Sequence, residues 1–366
     1  YFIFLLDKMS AIGTPLLVHV VLATLLAVQL AVYPPLVSRF AAEGFIKKSY
    51  VLAQEACKMA ISLALLAVTA YWRSPVQKAR AAKKEPWTVW RSVQVALVPA
   101  TIYSLQNTLC LVAYETIDGL TFNLLNQTKL IWTAVFVLVL LKRRQTAGQW
   151  CALAMLFVAA VLLSVAKSDE DGGAEREVSG RAHLFGCAAA LGAAMLSGLA
   201  SACCQWALQV GGRDSFLFSA ELGFFSICAL FLTLGVELAT GWPAGGDAQQ
   251  MLTMGSVWAS LDARTMVPIL VNACGGVVVG LLTKFSGSVV KSYALIAGIL
   301  LSTMLQMYFG GGGLTWQSKA AAPLVVVAMY LNFAFKAKKK GGAVASASAA
   351  VAGVAAAKKK EKKKGQ

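Results

Sequence analysis

The stretch Asp118–Leu141 reads DGLTFNLLNQTKLIWTAVFVLVLL, and between its ends Lys129 is the one ionisable side chain. At ~1.5 Å rise per helical residue the stretch crosses a hydrocarbon core of ~30 Å, with Lys129 roughly 17 Å from either end. An ammonium at that depth costs about 3 kcal/mol or more to bury, so it faces a bundle interior or a watery cavity and by default marks a ligand or ion path. The plainer reading is a lysine paired with a carboxylate on a neighbouring helix. Both stay open at this point.

The rest of the chain repeats the apolar pattern. It is 58% hydrophobic and 14% charged, with a mean hydropathy of +0.67, which excludes an ordinary soluble domain. Runs of bilayer-spanning length fall at about 12–38, 49–72, 92–115, 118–141, 147–167, 182–208, 215–240, 265–284, 286–309 and 318–336. The expected fold is an all-α polytopic membrane protein with ten transmembrane helices in one bundle over residues 12–336. Residues 1–11 read as an N-terminal leader, with Tyr1–Lys8 upstream of a start at Met9, and residues 337–366 as a disordered, lysine-rich cytosolic tail.

The net charge of +16 points to nucleic acid only until it is mapped. Lys336–Gln366 holds ten lysines against one glutamate, with no aromatic to stack on a base, so no nucleic acid is expected. A solvated tail touching anionic lipid suits it better. Arg73–Arg91 carries six basic residues and one acid, and Lys142, Arg143 and Arg144 follow the fourth span. Asp169–Glu177, Glu115–Asp118 and the loop with Glu237, Asp247 and Asp262 are acidic on balance. The positive-inside rule then puts both termini in the cytosol. Arg39, Lys47 and Lys48 in the first loop run against it. Lys363 and Lys364, fourth and third from the end, form a dilysine arrangement of the kind retrieval coat proteins read.

Eight cysteines lie in apolar spans without CxxC spacing and read as small packing residues. With only His19 and His183 as imidazoles, no metal site and no cofactor are expected.

An even number of spans permits a five-plus-five inverted repeat, the device by which transporters build a midplane site. Its trace is faint. Thr146-Ala147-Gly148-Gln149-Trp150 opens the fifth span and Thr315-Trp316-Gln317 precedes the tenth, each after a span with an inner lysine, Lys129 or Lys291. Tyr103, Gln106 and Asn107 share one helical stripe, and Asn123, Asn126, Gln127 and Thr128 crowd the turns before Lys129. Glu55 and Lys58, at i and i+3, form a structural ion pair on one face of the second span. The seam Gly275–Gly280 allows close helix approach, within the bundle or in a homodimer. Inward lysines beside amides and aromatics describe a site for an anionic, planar, hydroxyl-bearing ligand.

Gln127-Thr128-Lys129-Leu130-Ile131-Trp132-Thr133-Ala134, with Leu141-Lys142-Arg143-Arg144 and Gln149-Trp150, resembles the nucleotide-sugar transporters. The branch is that of UDP-galactose, UDP-N-acetylglucosamine and CMP-sialic acid carriers in the drug/metabolite transporter superfamily. Tyr103-Ser104-Leu105-Gln106-Asn107, Glu55-Ala56-Cys57-Lys58 and Lys284-Phe285 through Lys291 to Leu301-Ser302-Thr303 extend the likeness in order over most of 12–336. The resemblance implies a central cavity open alternately to cytosol and lumen, in the Golgi or ER. It also implies exchange of an incoming nucleotide sugar for an outgoing nucleoside monophosphate, with no bond made or broken and hence no enzyme. Carried over by position, Lys129 and Lys291 hold the phosphates, Tyr103 and Asn107 meet the nucleoside, and Phe122 lines the pocket where the family commonly has tyrosine; Gln127 belongs to the same set.

Two departures stand out. The family's Asn-x-Gln-Leu-Gly reads Ser219-Ala220-Glu221-Leu222-Gly223 here, placing an acid where base or sugar contacts are implied for Ser219 and Glu221. The family's Lys-Tyr-x-Asp-Asn reads Lys284-Phe285-Ser286-Gly287-Ser288. Gly223, where CMP-sialic acid carriers tend to have tyrosine, tilts the reading toward a UDP-sugar. The alternatives are a carrier of another metabolite, a sugar phosphate or an amine, and a scaffold recruited through the tail. A membrane transferase would need an acid or His/Asp constellation that the sequence lacks.

Overall fold

The computed structural model describes residues 15–41, 46–72, 87–170, 180–241, 249–251, 261–310 and 315–335. The expected leader, the lysine-rich tail with Lys363 and Lys364, and most of the 73–91 loop lie outside the described residues. Ten helical spans follow one another: α1 (Pro15–Phe40), α2 (Lys47–Tyr71), α3 (Val89–Ser92 continuing to Val98–Thr116), α4 (Gly119–Gln127 and Lys129–Leu141), α5 (Ala147–Glu170), α6 (Gly180–Gln209), α7 (Ser215–Thr240), α8 (Met266–Phe285), α9 (Ser288–Gly310) and α10 (Trp316–Ala334). Among the described residues nine of these, α1 to α9, are long and apolar enough to cross a membrane. The chain is an all-α polytopic membrane protein. The tenth expected span is present as a helix of 19 residues with Pro323 inside it, packed along α5.

Packing carries the repeat that the sequence only hinted at. The main partners of α1 are α8 and α9, and those of α6 are α3 and α4; α2 packs on α7 and α8, and α7 on α2 and α3; α5 pairs with α10. Exchanging each helix n for n+5 leaves this pattern unchanged. Five is odd, so a second half with the same packing enters the bilayer from the opposite side, as in an inverted repeat.

The fourth span is not the continuous helix that its sequence predicts. Thr128, at φ −59° and ψ −18°, has 3₁₀-type angles. Its N–H bonds to Leu125 O at 3.1 Å and its hydroxyl reaches the same carbonyl at 2.6 Å. Thr133 likewise draws Lys129 O into a side-chain bond of 2.7 Å. Threonine hydroxyls competing for helix carbonyls bend the path, so Lys129 opens a second helical segment instead of lying mid-helix. Asp118 caps the first, accepting from Thr121 N at 2.8 Å. Burial pushes the Asp118 carboxyl up, but the Thr121 hydrogen bonds outweigh it and hold the carboxyl below its ordinary value.

In α3 a π-turn over Val93–Leu97 sits just ahead of Pro99. Proline has no N–H for the carbonyl four residues back, and the ring crowds it, so the turn widens. Close approach elsewhere needs small residues. A Cβ on Gly198 would stand 2.8 Å from the backbone of Trp132 and Thr133, so α6 lies directly on α4 one turn past Lys129.

The first-loop cations that opposed the positive-inside pattern have a partner in Lys48, which pairs with the buried Glu237 at the far end of α7.

Candidate functional site

Between the two halves lies a closed-down cavity of about 60 Å³, lined by side chains of α2, α3, α6, α7, α8 and α9. Lys291 and Lys58 both face it, with Tyr103, Cys204, Ser219 and Thr283 supplying the other polar atoms. Lys291 Nζ donates to Ser201 Oγ at 2.9 Å, and Tyr103 OH stands 3.5 Å from the same hydroxyl. Ser201 offers a neutral oxygen, not a counter-charge. Lys58 differs: Glu55 Oε2 lies 2.5 Å from its Nζ, so the ion pair expected from sequence exists and also forms part of the cavity wall.

Lys129 is half-buried and, unlike Lys291, is not among the residues that line this cavity. Among the described residues no carboxylate lies within ion-pair distance of either lysine, and the plainer reading of Lys129 as one member of an ion pair has no partner there. With Lys58 paired to Glu55, Lys291 is the lysine of the cavity wall that has no carboxylate partner among the described residues.

Other expected site residues are placed differently. Asn107 lies one turn along α3 from Tyr103 and is exposed. Phe122 is 2% exposed, stacked on Tyr114 with ring centroids 4.0 Å apart and packed with Ala113 and Ala189; a ring without a hydroxyl is satisfied in that apolar layer, away from the cavity. Gln127 is turned toward α5, where its amide donates to Ser164 Oγ at 3.3 Å. A Cβ at Gly223 would touch Glu55 and Met59 at about 3.5 Å, so Gly223 is a packing position against α2. Glu221 is not among the residues that line the cavity. It is held by Arg213 in a buried ion pair and accepts from Ser92 Oγ at 2.6 Å and Trp87 Nε1 at 3.0 Å.

A polar strip that the sequence reading missed runs from the surface to the cavity. Arg143 Nη1 donates to Gln209 Oε1 at 2.5 Å, and Gln209 Nε2 donates to the carbonyls of Thr283 and Lys284 at 2.8 and 3.0 Å. One turn inward Gln205 Oε1 accepts Ser288 N–H at 2.7 Å, and Ser288 Oγ donates to Ser201 O at 2.7 Å. The next contact inward is Ser201 with Lys291. Ser201, Gln205 and Gln209 are spaced i, i+4, i+8, a stripe that was legible on α6. The strip fastens α6 to the α8–α9 link, and Lys291 is its innermost member.

Gly276 lets the Lys58 stem reach the cavity. A Cβ there would stand 2.7 Å from Lys58 Cδ. Gly276→Ala is therefore expected to raise KM for substrate several-fold by displacing Lys58 from Glu55. Its thermal stability should not fall, since Ala is favoured over Gly within a helix by about 0.5–1 kcal/mol. Transport kinetics beside a melting curve checks this.

A polytopic helical bundle with an internal, lysine-lined cavity between two like-packed halves is the architecture of a membrane carrier for anionic solutes. The match to a family model is specific: residues 14–332 fit nucleotide-sugar transporters, and the chain belongs to that family. A UDP-N-acetylglucosamine transporter of Arabidopsis thaliana is 34% identical over 333 residues, covering 89% of this chain and 94% of that one. A UDP-galactose/UDP-N-acetylglucosamine transporter of Caenorhabditis elegans is 27% identical over 64% of this chain and 60% of its own. A UDP-galactose translocator of Mus musculus is 28% identical over 64% of this chain and 57% of its own. A solved crystal structure covers 86% of this chain and 95% of its own with a TM-score of 0.56 at 14% identity, a likeness of fold. The chain is thus a nucleotide-sugar transporter and not an enzyme.

Proposed function

We propose that the protein exchanges a UDP-sugar, of the N-acetylglucosamine or galactose type, for UMP across a Golgi or ER membrane, with both termini in the cytosol. The observation that carries the reading is Lys291, which stands in the cavity wall with no carboxylate within ion-pair distance among the described residues; in a more open state Lys129 joins it on the same anion. A UDP-sugar and UMP each bring about two negative charges on phosphate, matching that pair. The UDP-sugar relatives favour uridine over CMP-sialic acid, and Gly223, packed on α2 without a side chain, accords with that choice.

Exchange follows from desolvation. A carrier that reorients empty must close on two cations without a counter-charge, whereas one loaded with either anion closes on a neutral site. A cavity of about 60 Å³ is far below the ~300–1,000 Å³ of small-molecule sites, so the ligand enters a more open state than the one described. In proteoliposomes, UMP inside is expected to accelerate uptake of labelled UDP-N-acetylglucosamine or UDP-galactose at least tenfold over empty vesicles. Equal uptake from empty vesicles would reject exchange, and acceleration by CMP alone would reassign the substrate to CMP-sialic acid.

A further inference from the structure

A second cleft opens at the protein surface, where α3 begins and α6 ends. Its volume is about 520 Å³, and Trp90, Arg91, Gln94, Trp206 and Gly211 line it. Trp90 is 70% and Trp206 43% exposed. Arg91 Nη2 donates to Gly211 O at 3.5 Å, bridging the two walls. The segment bearing Trp90 and Arg91 is held from behind. Ser92 is buried between Glu221 and Arg213, and Trp87 is bonded to Glu221.

We propose that this cleft binds the phosphate headgroup of an anionic phospholipid in the leaflet where α3 starts. Helix ends mark the boundary between hydrocarbon and water, the depth at which indoles with their N–H groups settle. A guanidinium is a permanent, delocalised cation that suits a phosphate, and Gln94 adds an amide beside it. Val89 and Val210 are 64% and 49% exposed on the flanks, surfaces that acyl chains cover and a water-borne nucleotide does not. The inference stands on the cleft and its position, and does not depend on which nucleotide sugar is carried.

Native mass spectrometry of the full-length protein with equimolar dioleoyl phosphatidylserine and phosphatidylcholine tests it. Wild-type protein should retain phosphatidylserine about fivefold over phosphatidylcholine, the scale of one basic residue at an anionic surface. Arg91→Ala should level the two lipids, and Arg91→Lys should keep most of the preference. Lys319→Ala, an exposed basic residue on α10, which packs along α5, should behave as wild type. Matching melting curves in phosphatidylcholine alone establish that the variants are folded. Retention by Arg91→Ala equal to wild type would overturn the proposal. Displacement of the lipid by excess UMP would also overturn it, by assigning the cleft to nucleotide.

Discussion

Lys291→Ala is expected to lower exchange of UDP-sugar for UMP by thirtyfold or more, while the protein still folds and inserts. Truncating one member of a buried charge-assisted contact costs about 2–5 kcal/mol, which is roughly thirtyfold to several thousandfold in affinity. Folding should survive because Lys291 spans no ion pair in the described structure; its ammonium donates to the neutral Ser201 Oγ at 2.9 Å. Losing that bond leaves a hydroxyl still within 3.5 Å of Tyr103 OH. Lys291→Arg keeps the charge but places a larger, planar group in a cavity of about 60 Å³, and it should recover little. Uptake into UMP-loaded proteoliposomes measures both, and exchange by Lys291→Ala above half the wild-type rate would remove this lysine from the site. A double-mutant cycle with Lys129→Ala asks whether the two ammonium groups act on one anion. If they do, the double variant loses much less than the sum of the singles.

The same lysine ties binding to movement. Any phosphate that takes the Lys291 ammonium competes with Ser201 for it, and Ser201 is also where the Ser288 hydroxyl docks on α6. Gln205 and Gln209 continue that fastening outward to Arg143. A ligand therefore acts first on the inner end of the strip holding α6 to the α8–α9 link. Differential contact with one closed arrangement is what a ligand needs in order to shift a carrier between states.

Much of this was legible in the residues. Apolar runs located the ten described helices to within a few positions, nine of them long and apolar enough to cross a bilayer, because length and hydropathy are what such a helix needs. Tyr103, Ser219 and Lys291 were singled out and line one cavity. Sequence reasoning stumbled where a local competition or a distant partner decides the outcome. The Thr128 hydroxyl bends α4 at a point where hydropathy reads straight through. Phe122 and Gln127 were assigned by position to the pocket, yet an apolar ring found an apolar layer and an amide found Ser164 on α5. Glu55 and Lys58 were read as a structural pair, and the pair is present; that it walls the cavity depends on Gly276, more than two hundred residues away, leaving room for the lysine stem. The repeat was nearly invisible in sequence because packing pattern, not residue identity, is what the two halves share.

Glu221→Ala is expected to destabilise the protein by about 3–5 kcal/mol, the cost of leaving a buried charge without its partner. From sequence, an acid in the family's Asn-x-Gln-Leu-Gly position threatened the anion site. The structure explains it through a residue outside that motif: Arg213, just ahead of α7, is 7% exposed and engages Glu221 through both Nε and Nη2. Trp87 Nε1 and Ser92 Oγ converge on the same carboxylate, so alanine strands three donors at once. Glu221→Gln restores an oxygen acceptor for Trp87 and Ser92 but no charge for Arg213, and should recover only part of the loss. Arg213→Leu combined with Glu221→Leu should melt well above either single variant, since apolar replacement of a whole buried pair is often neutral or stabilising. Melting of the purified full-length protein reads the series. If Glu221→Ala melts with wild type, the buried pair does not hold α3 to α7.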